Sequence, residues 1–264
     1  MELIVLGGSA AAPNPGDASA GYLIVSGETA ILLDCGSGVV SKLREHRDPR
    51  ALSAVVVSHL HSDHTLDLVA LRYALQYTPP GPSTAIPLYL PPQGPDFLGR
   101  LGAVFASGNE RPEDFWDRTL TLREYAPNLE SGIPLRIGGL ALTFSSMQHY
   151  IPVWAIRIAE VATGRTLTFS ADTGPQASLA DFARGSDLLL CEATLLEQTP
   201  GSDPAGWGHL TGREAGQIAA EAGVSRLVLT HLWQELGFAQ YRDAASAAFH
   251  GPIDVAYTGL TITI

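Results

Sequence analysis

Cysteine is nearly missing from this 264-residue chain. The two present, Cys35 and Cys191, each close an apolar run (ILLDC and LLLC). No C-x-x-C pair occurs, so no thiol motif for redox or metal chemistry is offered, and both residues read as buried, reduced thiols. Basic side chains are also scarce: 16 against 27 acidic ones, a formal charge of −11. A generic phosphate-backbone binder needs a basic footprint, and the total supplies none. Some of that negative charge would vanish if aspartates held cations. Long apolar runs are absent too, so no stretch reads as a bilayer span. The opening MELIVLGGSA has neither the basic start nor the apolar length of a signal peptide, which makes a cytoplasmic protein the expectation. What remains, 45% hydrophobic and 16% charged residues, describes a globular chain rather than a disordered one.

Short aliphatic runs recur along the whole length, bounded by Gly, Pro, Asp or Ser. Examples are 3–6, 22–25, 30–33, 54–57, 140–144, 153–158, 166–169, 188–190 and 227–229, all read as strands. Helical periodicity falls at 37–46, 66–76, 95–106, 212–222 and 238–249. Strands and helices alternate in both halves, which predicts an α/β architecture with helices covering both faces of the sheets. The Pro-rich stretch 78–95 reads as a surface crossover carrying one strand, because apolar periodicity resumes directly after it. With no internal repeat and no low-complexity tract, residues 1–264 read as one domain.

The most informative segment is AVVVSHLHSDH, Ala54–His64, where a buried strand runs into the pattern H-x-H-x-D-H. Imidazole nitrogen and carboxylate oxygen are the donors Zn²⁺ takes at about 2.0–2.2 Å. Alternation along an extended segment would place His59, His61 and Asp63 on one side, with His64 turning away with the chain. The chain has eight histidines, and three fall within these six residues. Three later apolar runs also end on a candidate ligand: LTFSSMQH at His149, TLTFSAD at Asp172 and LVLTH at His231. Strand ends are rigid places from which to present a ligand.

In this order, His59, His61, Asp63, His64, His149, Asp172 and His231 resemble the metal-ligand set of the metallo-β-lactamase superfamily, and the resemblance runs from Leu3 to the C-terminus. It implies a four-layer αββα sandwich of two similar halves with the site at the open edge between the sheets. It also implies two divalent cations: one on His59, His61 and His149, the other on Asp63, His64 and His231, with Asp172 bridging. Zn²⁺ suits the donor set best, and Mn²⁺ or Fe²⁺ also fit. Asp34, ending ILLD, matches the family's early strand-end Asp that supports the histidine loop; it equally fits an Asx-turn residue ahead of Gly36 and Gly38.

The metal set alone serves lactamases, lactonases, thioesterases and phosphodiesterases. Asp172 stands where the familiar lactamases use Cys, which disfavours a β-lactamase. The tail after His231 is short for a glyoxalase II, and no flavodoxin-like domain accompanies the site. The segment GWGHLTGREAG separates the remaining branches. Thr211 and Glu214 form a capping-box pattern, so a helix starts at Gly212 and stops at Gly223. That places His209 on an exposed loop just outside a helix N-terminus, surplus to the ligand set and a candidate proton donor. It also fits a residue that packs beneath the helix.

The segment resembles the ribonuclease Z branch, as does the opening LGGSAAAPNP. That branch pairs such a histidine with a strand-end glutamate, here Glu192, which taken alone could equally be a surface carboxylate. The implied roles are His209 as general acid, Glu192 as the group holding its imidazole, and Asp63 as the group orienting the attacking hydroxide. Two features depart from that branch. Only 22 residues separate His149 from Asp172, room for a hairpin but not for the long tRNA-gripping arm, and the charge of −11 lacks a tRNA footprint. The expected substrate is therefore a small or cyclic phosphodiester. A lactonase or arylsulfatase-like esterase, or a tRNA 3′-processing endonuclease, are the alternatives. Tyr150, Trp207 and Trp233 flank the candidate residues and fit either a pocket wall or plain packing. No membrane partner is expected, the charge gives no strong nucleic-acid footprint although a local basic patch is left open, and the resemblance allows a homodimer.

Overall fold

In the computed structural model, which describes residues 1–81, 84–106, 108, 111, 114–199, 201, 203 and 206–264, the chain builds two mixed sheets in succession. The first takes β1 (Glu2–Gly7), β2 (Gly21–Ser26), β3 (Thr29–Leu33), β4 (Ala54–Val56), β5 (Ile86–Leu90) and β6 (Leu120–Glu124). Helices α1 (Val39–His46), α2 (Ser62–Thr65), α3 (Leu68–Tyr77) and α4 (Gly94–Phe105) lie between these strands, and α5 (Ala126–Ser131) follows them. The second sheet takes β7 (Leu135–Ile137), β8 (Leu140–Met147), β9 (Val153–Glu160), β10 (Thr166–Phe169), β11 (Leu188–Glu192), β12 (Leu227–Thr230) and β13 (Ile253–Val255). Its helices are α6 (Ala177–Ala183), α7 (Gly212–Ala222) and α8 (Phe238–Ser246). The last strand, β14 (Thr261–Thr263), returns to pair with β1.

The halves share one plan. β1, β2 and β3 form an antiparallel meander, and β4, β5 and β6 then add in parallel. In the second half β7 to β10 form the meander, and β11, β12 and β13 add in parallel. Strands buried on both sides read as unbroken apolar runs, as TAILL in β3 and LLLCE in β11 do.

The predicted covering of both sheet faces by helices holds for one face only. The inner faces pack on each other, through Tyr22, Ile31 and Val56 against Ile156, Phe169 and Leu190. Outer-face residues such as Leu32 and Val55 meet α1, α3 and α4 at Leu43, Leu71 and Leu98. On the other side Leu189 and Leu229 meet α6, α7 and α8 at Leu179, Ala219 and Ala245. This is the αββα sandwich that the resemblance implies. Both cysteines are buried and free. The helix expected over 66–76 starts two residues later, at Leu68, and a separate turn of helix, α2, precedes it. The Pro-rich crossover carries β5 as expected, with residues 82 and 83 outside the described residues. Among the described residues no helix is long and apolar enough to cross a membrane.

Candidate metal centre

Parallel strands gather their loops at their C-terminal ends, and the candidate ligands sit there. His59 follows β4, Asp172 follows β10 and His231 follows β12, while His149 leaves β8 on the turn into β9. Among the described residues, three of the four non-glycine residues with positive φ lie at these ends: Asp34 (58°), Ala171 (52°) and His231 (59°). A left-handed residue right after a strand turns the chain sharply, and such conformations cluster where function over-determines the backbone. Gly36 is required for a different reason. A Cβ there would stand 1.8 Å from the Asp63 carbonyl oxygen, so the turn after β3 lies directly under the H-x-H-x-D-H segment.

The ligand atoms gather in two groups, each within 4.8 Å: His59, His61, His149 and Asp172; and Asp63, His64, Asp172 and His231. Asp172 belongs to both, as the bridging role requires. The segment is not extended past His61, however. α2 begins at Ser62, and the helical turn carries Asp63 to the second group, away from His59 and His61, where its Oδ2 lies 3.1 Å from His231 Nε2. The expected placement of all three on one side is corrected accordingly.

The residues present fit cations. A carbonyl or carboxylate can only accept, so His149 Nδ1 donates to the Gly208 carbonyl (2.7 Å) and His64 Nδ1 donates to Asp34 Oδ2 (2.7 Å). Their Nε2 atoms are left facing inward. His64 Nε2 is buried without a hydrogen-bond partner, 3.4 Å from Asp172 Oδ1 and 3.6 Å from Asp63 Oδ2. His61 Nδ1 stands 3.2 Å from His59 Nε2 and 3.1 Å from His149 Nε2. Nitrogens each about 2.05 Å from a tetrahedral ion lie about 3.3 Å apart, so three convergent nitrogens at this spacing suit a cation of that size.

The electrostatics agree. Burial above all pulls His59, His61 and His149 below the ordinary imidazole pKa, which keeps them neutral and able to ligate. Burial would raise the Asp172 carboxyl, but the His231, His64 and His59 imidazoles overcome it and hold the group well below its usual range. Asp63 is likewise lowered against its burial, chiefly by the hydrogen bond to His231. His64 runs the other way: burial opposes its charge, but Asp172 and Asp34 raise it well above the ordinary value. The same two carboxylates favour positive charge at that place, as a cation site requires.

His209 and Glu192 lie in contact, with one correction to the expected placement. His209 is not on an exposed loop; its side chain is 17% exposed and its Nδ1 lies 3.0 Å from Glu192 Oε1. Glu192 is fully buried, which rules out the surface carboxylate. It accepts backbone N–H groups from Thr173 (2.7 Å), Thr194 (3.2 Å) and Leu210 (3.2 Å). The helix behind His209 starts on the expected box, with the Thr211 hydroxyl and Glu214 carboxylate capping each other's backbone, and ends at left-handed Gly223. His209 stacks on His231 with ring centroids 5.5 Å apart and lines a cavity of about 260 Å³ with Ala11, His61, Ser62, Asp63, Asp172 and His231.

Tyr150 is 65% exposed, its ring 5.7 Å from that of His209 and too close to Gly208 to admit a Cβ there. Trp207 and Trp233 are half-buried, and Trp207 offers its carbonyl to Gln148 Nε2 (2.8 Å). Asp34 receives Ser58 through both backbone N–H and hydroxyl (2.7 Å each), as the supporting role predicts. The sequence reading did not single out Ser58, Thr194 or Asn14. Asn14 anchors the glycine loop by donating to the Leu232 carbonyl (3.0 Å) and accepting from the Gln234 N–H (3.0 Å). Position one residue before His59 and two residues after Glu192 was the available signal for the first two; Asn14 had none.

The sequence profile described as the beta-lactamase superfamily domain matches residues 29–232. An uncharacterized protein of Mycobacterium leprae is 34% identical over 266 residues, covering 100% of this chain and 89% of its own length. The probable metallo-hydrolase YhfI of Bacillus subtilis is 31% identical, covering 98% of each chain. Its crystal structure superposes with a TM-score of 0.83 over 99% of both chains at 29% identity. A ribonuclease Z of Myxococcus xanthus is 27% identical over 100% of this chain and 98% of its own.

Proposed function

The chain belongs to the beta-lactamase superfamily and is a metal-dependent hydrolase of its ribonuclease Z-like branch; from that premise we propose that it is a dinuclear phosphodiesterase acting on a small or cyclic phosphodiester. The observation that carries this reading is His209: an imidazole that belongs to neither four-residue group, is held at Nδ1 by a buried carboxylate, and faces the cavity that Asp63, Asp172 and His231 line. A phosphodiester needs such a group, because its departing alkoxide is a poor leaving group until protonated.

His59, His61 and His149 would hold one cation and Asp63, His64 and His231 the other, with Asp172 between them. Two such ions, Zn²⁺ by preference for imidazole with carboxylate and Mn²⁺ or Fe²⁺ as substitutes, supply a nucleophilic water at neutral pH and neutralise charge on the phosphoryl oxygens. The chain's own residues do the rest. Asp63 borders the cavity and orients the attacking water. His209 donates its Nε2 proton to the leaving oxygen. Glu192 keeps the imidazole turned by accepting its Nδ1–H. Tyr150 stands exposed beside His209, where a base or similar flat group could rest against its ring.

A small substrate is supported by what lies between His149 and Asp172. β9, a short turn and β10 fill that span, so no gripping arm projects from it. With a charge of −11, nothing in the overall balance replaces such an arm. The test is a substrate screen on protein whose metal content has been measured by elemental analysis. Bis-p-nitrophenyl phosphate and cyclic nucleotides should give higher kcat/KM than lactones, aryl sulfates or a tRNA precursor, and chelator should abolish turnover. No phosphodiester turnover by fully metallated protein would overturn the reading, and a higher value on lactones or sulfates would replace it with the esterase.

A further inference from the structure

We propose that Ser58 and Thr194 are positioning residues that fix the tautomer of one ligating histidine each, so that each hydroxyl governs the affinity of a different cation. The inference rests on the two-cation reading above.

The two hydroxyls occupy matching places. Ser58 lies two residues beyond β4, the first parallel strand of the first half, and Thr194 two residues beyond β11, the first parallel strand of the second. Each is buried and each joins a buried carboxylate to the Nδ1 of a histidine. Ser58 Oγ is 2.7 Å from Asp34 Oδ2 and 3.0 Å from His59 Nδ1. Thr194 Oγ1 is 2.9 Å from Glu192 Oε2, 3.0 Å from the His231 carbonyl and 2.7 Å from His231 Nδ1.

A hydroxyl has one proton to give. At Ser58 it goes to Asp34, which can only accept, so His59 Nδ1 must be the donor to Ser58 Oγ. At Thr194 both oxygen neighbours can only accept, so His231 Nδ1 must likewise be protonated. In each case the lone pair is driven to Nε2, the atom that faces the ligand cluster. His64 and His149 have the same tautomer set by a carboxylate and a backbone carbonyl. His59 and His231 depend instead on a side-chain hydroxyl that one substitution removes. His59 belongs to the group with His61 and His149, and His231 to the group with Asp63 and His64. The two hydroxyls therefore report on separate cations.

The experiment is competition between the full-length protein and a chromophoric chelator for Zn²⁺, repeated with Co²⁺, whose absorption distinguishes the imidazole-rich group from the carboxylate-rich one. Thr194→Val should weaken the carboxylate-rich cation by about ten- to a hundred-fold and spare the other. Ser58→Ala should do the reverse. Thr194→Ser and Ser58→Thr should restore parent affinities, which a purely steric role would not predict. Parent-like binding by both deletion variants, loss of the same cation in both, or failure of the conservative variants to restore binding would overturn the inference. If Thr194→Val fails to fold by its thermal unfolding curve, the Ser58 pair decides by the same criteria. Fewer than two cations on the parent would overturn the two-cation reading itself, a result distinct from parent-like variants.

Discussion

Asp34 and Glu192 are the same device in the two halves of the molecule, put to different ends. Each is fully buried at a strand end, each accepts a backbone N–H at 2.7 Å, and each holds one imidazole directly by Nδ1 and a second through a hydroxyl. In the first half both imidazoles, His64 and His59, turn Nε2 toward the ligand cluster. In the second half one does, His231, while the other, His209, faces the cavity from outside both four-residue groups. A fold duplicated in plan thus places two cluster-facing imidazoles on one side and, on the other, one such imidazole and the histidine proposed as proton donor. The difference lies in the partner histidine, since the two carboxylates are alike in burial and in holding one imidazole directly and one through a hydroxyl.

The comparison breaks most visibly at the histidines. His209→Ala should leave cation content unchanged and lower kcat by about 10²–10⁴ on a phosphodiester with an alkoxide leaving group. The loss should be much smaller with a p-nitrophenolate leaving group, which departs without a proton. Steady-state kinetics on the two substrates, with metal analysis of each sample, checks this. Equal losses on both would mean that His209 serves binding or structure and not proton transfer.

The carboxylates give the next largest effect, and of a different kind. Asp34→Asn puts an amide NH₂ opposite groups that need acceptors, the Ser58 N–H and hydroxyl and His64 Nδ1. Cation affinity should fall about 10- to 100-fold. Glu192→Gln should weaken only the cation bound through His231, and less, because Thr194 stands between. Isothermal titration with Zn²⁺ measures both. Equal losses in the two variants would erase the distinction between the halves.

Much of this was written in residue order. The strand-end histidines and Asp172 were legible because buried strands read as plain apolar runs and the polar residue ending each has little else to do. The capping box at Thr211 located the helix behind His209 for the same local reason. Short or edge elements were not legible: β7, β13 and β14 have three residues each, too few for periodicity to register. The placement of Asp63 was missed because alternation was carried through Ser62, where α2 changes the period from two to 3.6. Ser58 and Thr194 were invisible as single letters. Their meaning comes from carboxylates at Asp34 and Glu192, and that from Asp34 to Ser58 crosses between strands no sequence pattern pairs.

The smallest effect expected is a shift in a pH profile, and its sign follows from the second half alone. Burial lowers the pKa of His209, but the Glu192 carboxylate outweighs it, with Asp172 and Asp63 adding, and raises the group from 6.5 to about 9. Bound cations repel the imidazolium and push the value back down from there. His209 is protonated below that pKa and loses its proton as the pH rises through it, so kcat on an alkoxide leaving group should have a falling alkaline limb at or below about pH 9. Glu192→Gln removes the charge that raises the pKa, so the limb should move to lower pH while the acid limb, set by the attacking water, stays in place. A p-nitrophenolate leaving group should show no such limb in either protein. Parent and variant limbs that coincide would mean that Glu192 orients His209 without tuning it, which would make the two carboxylates equivalent after all.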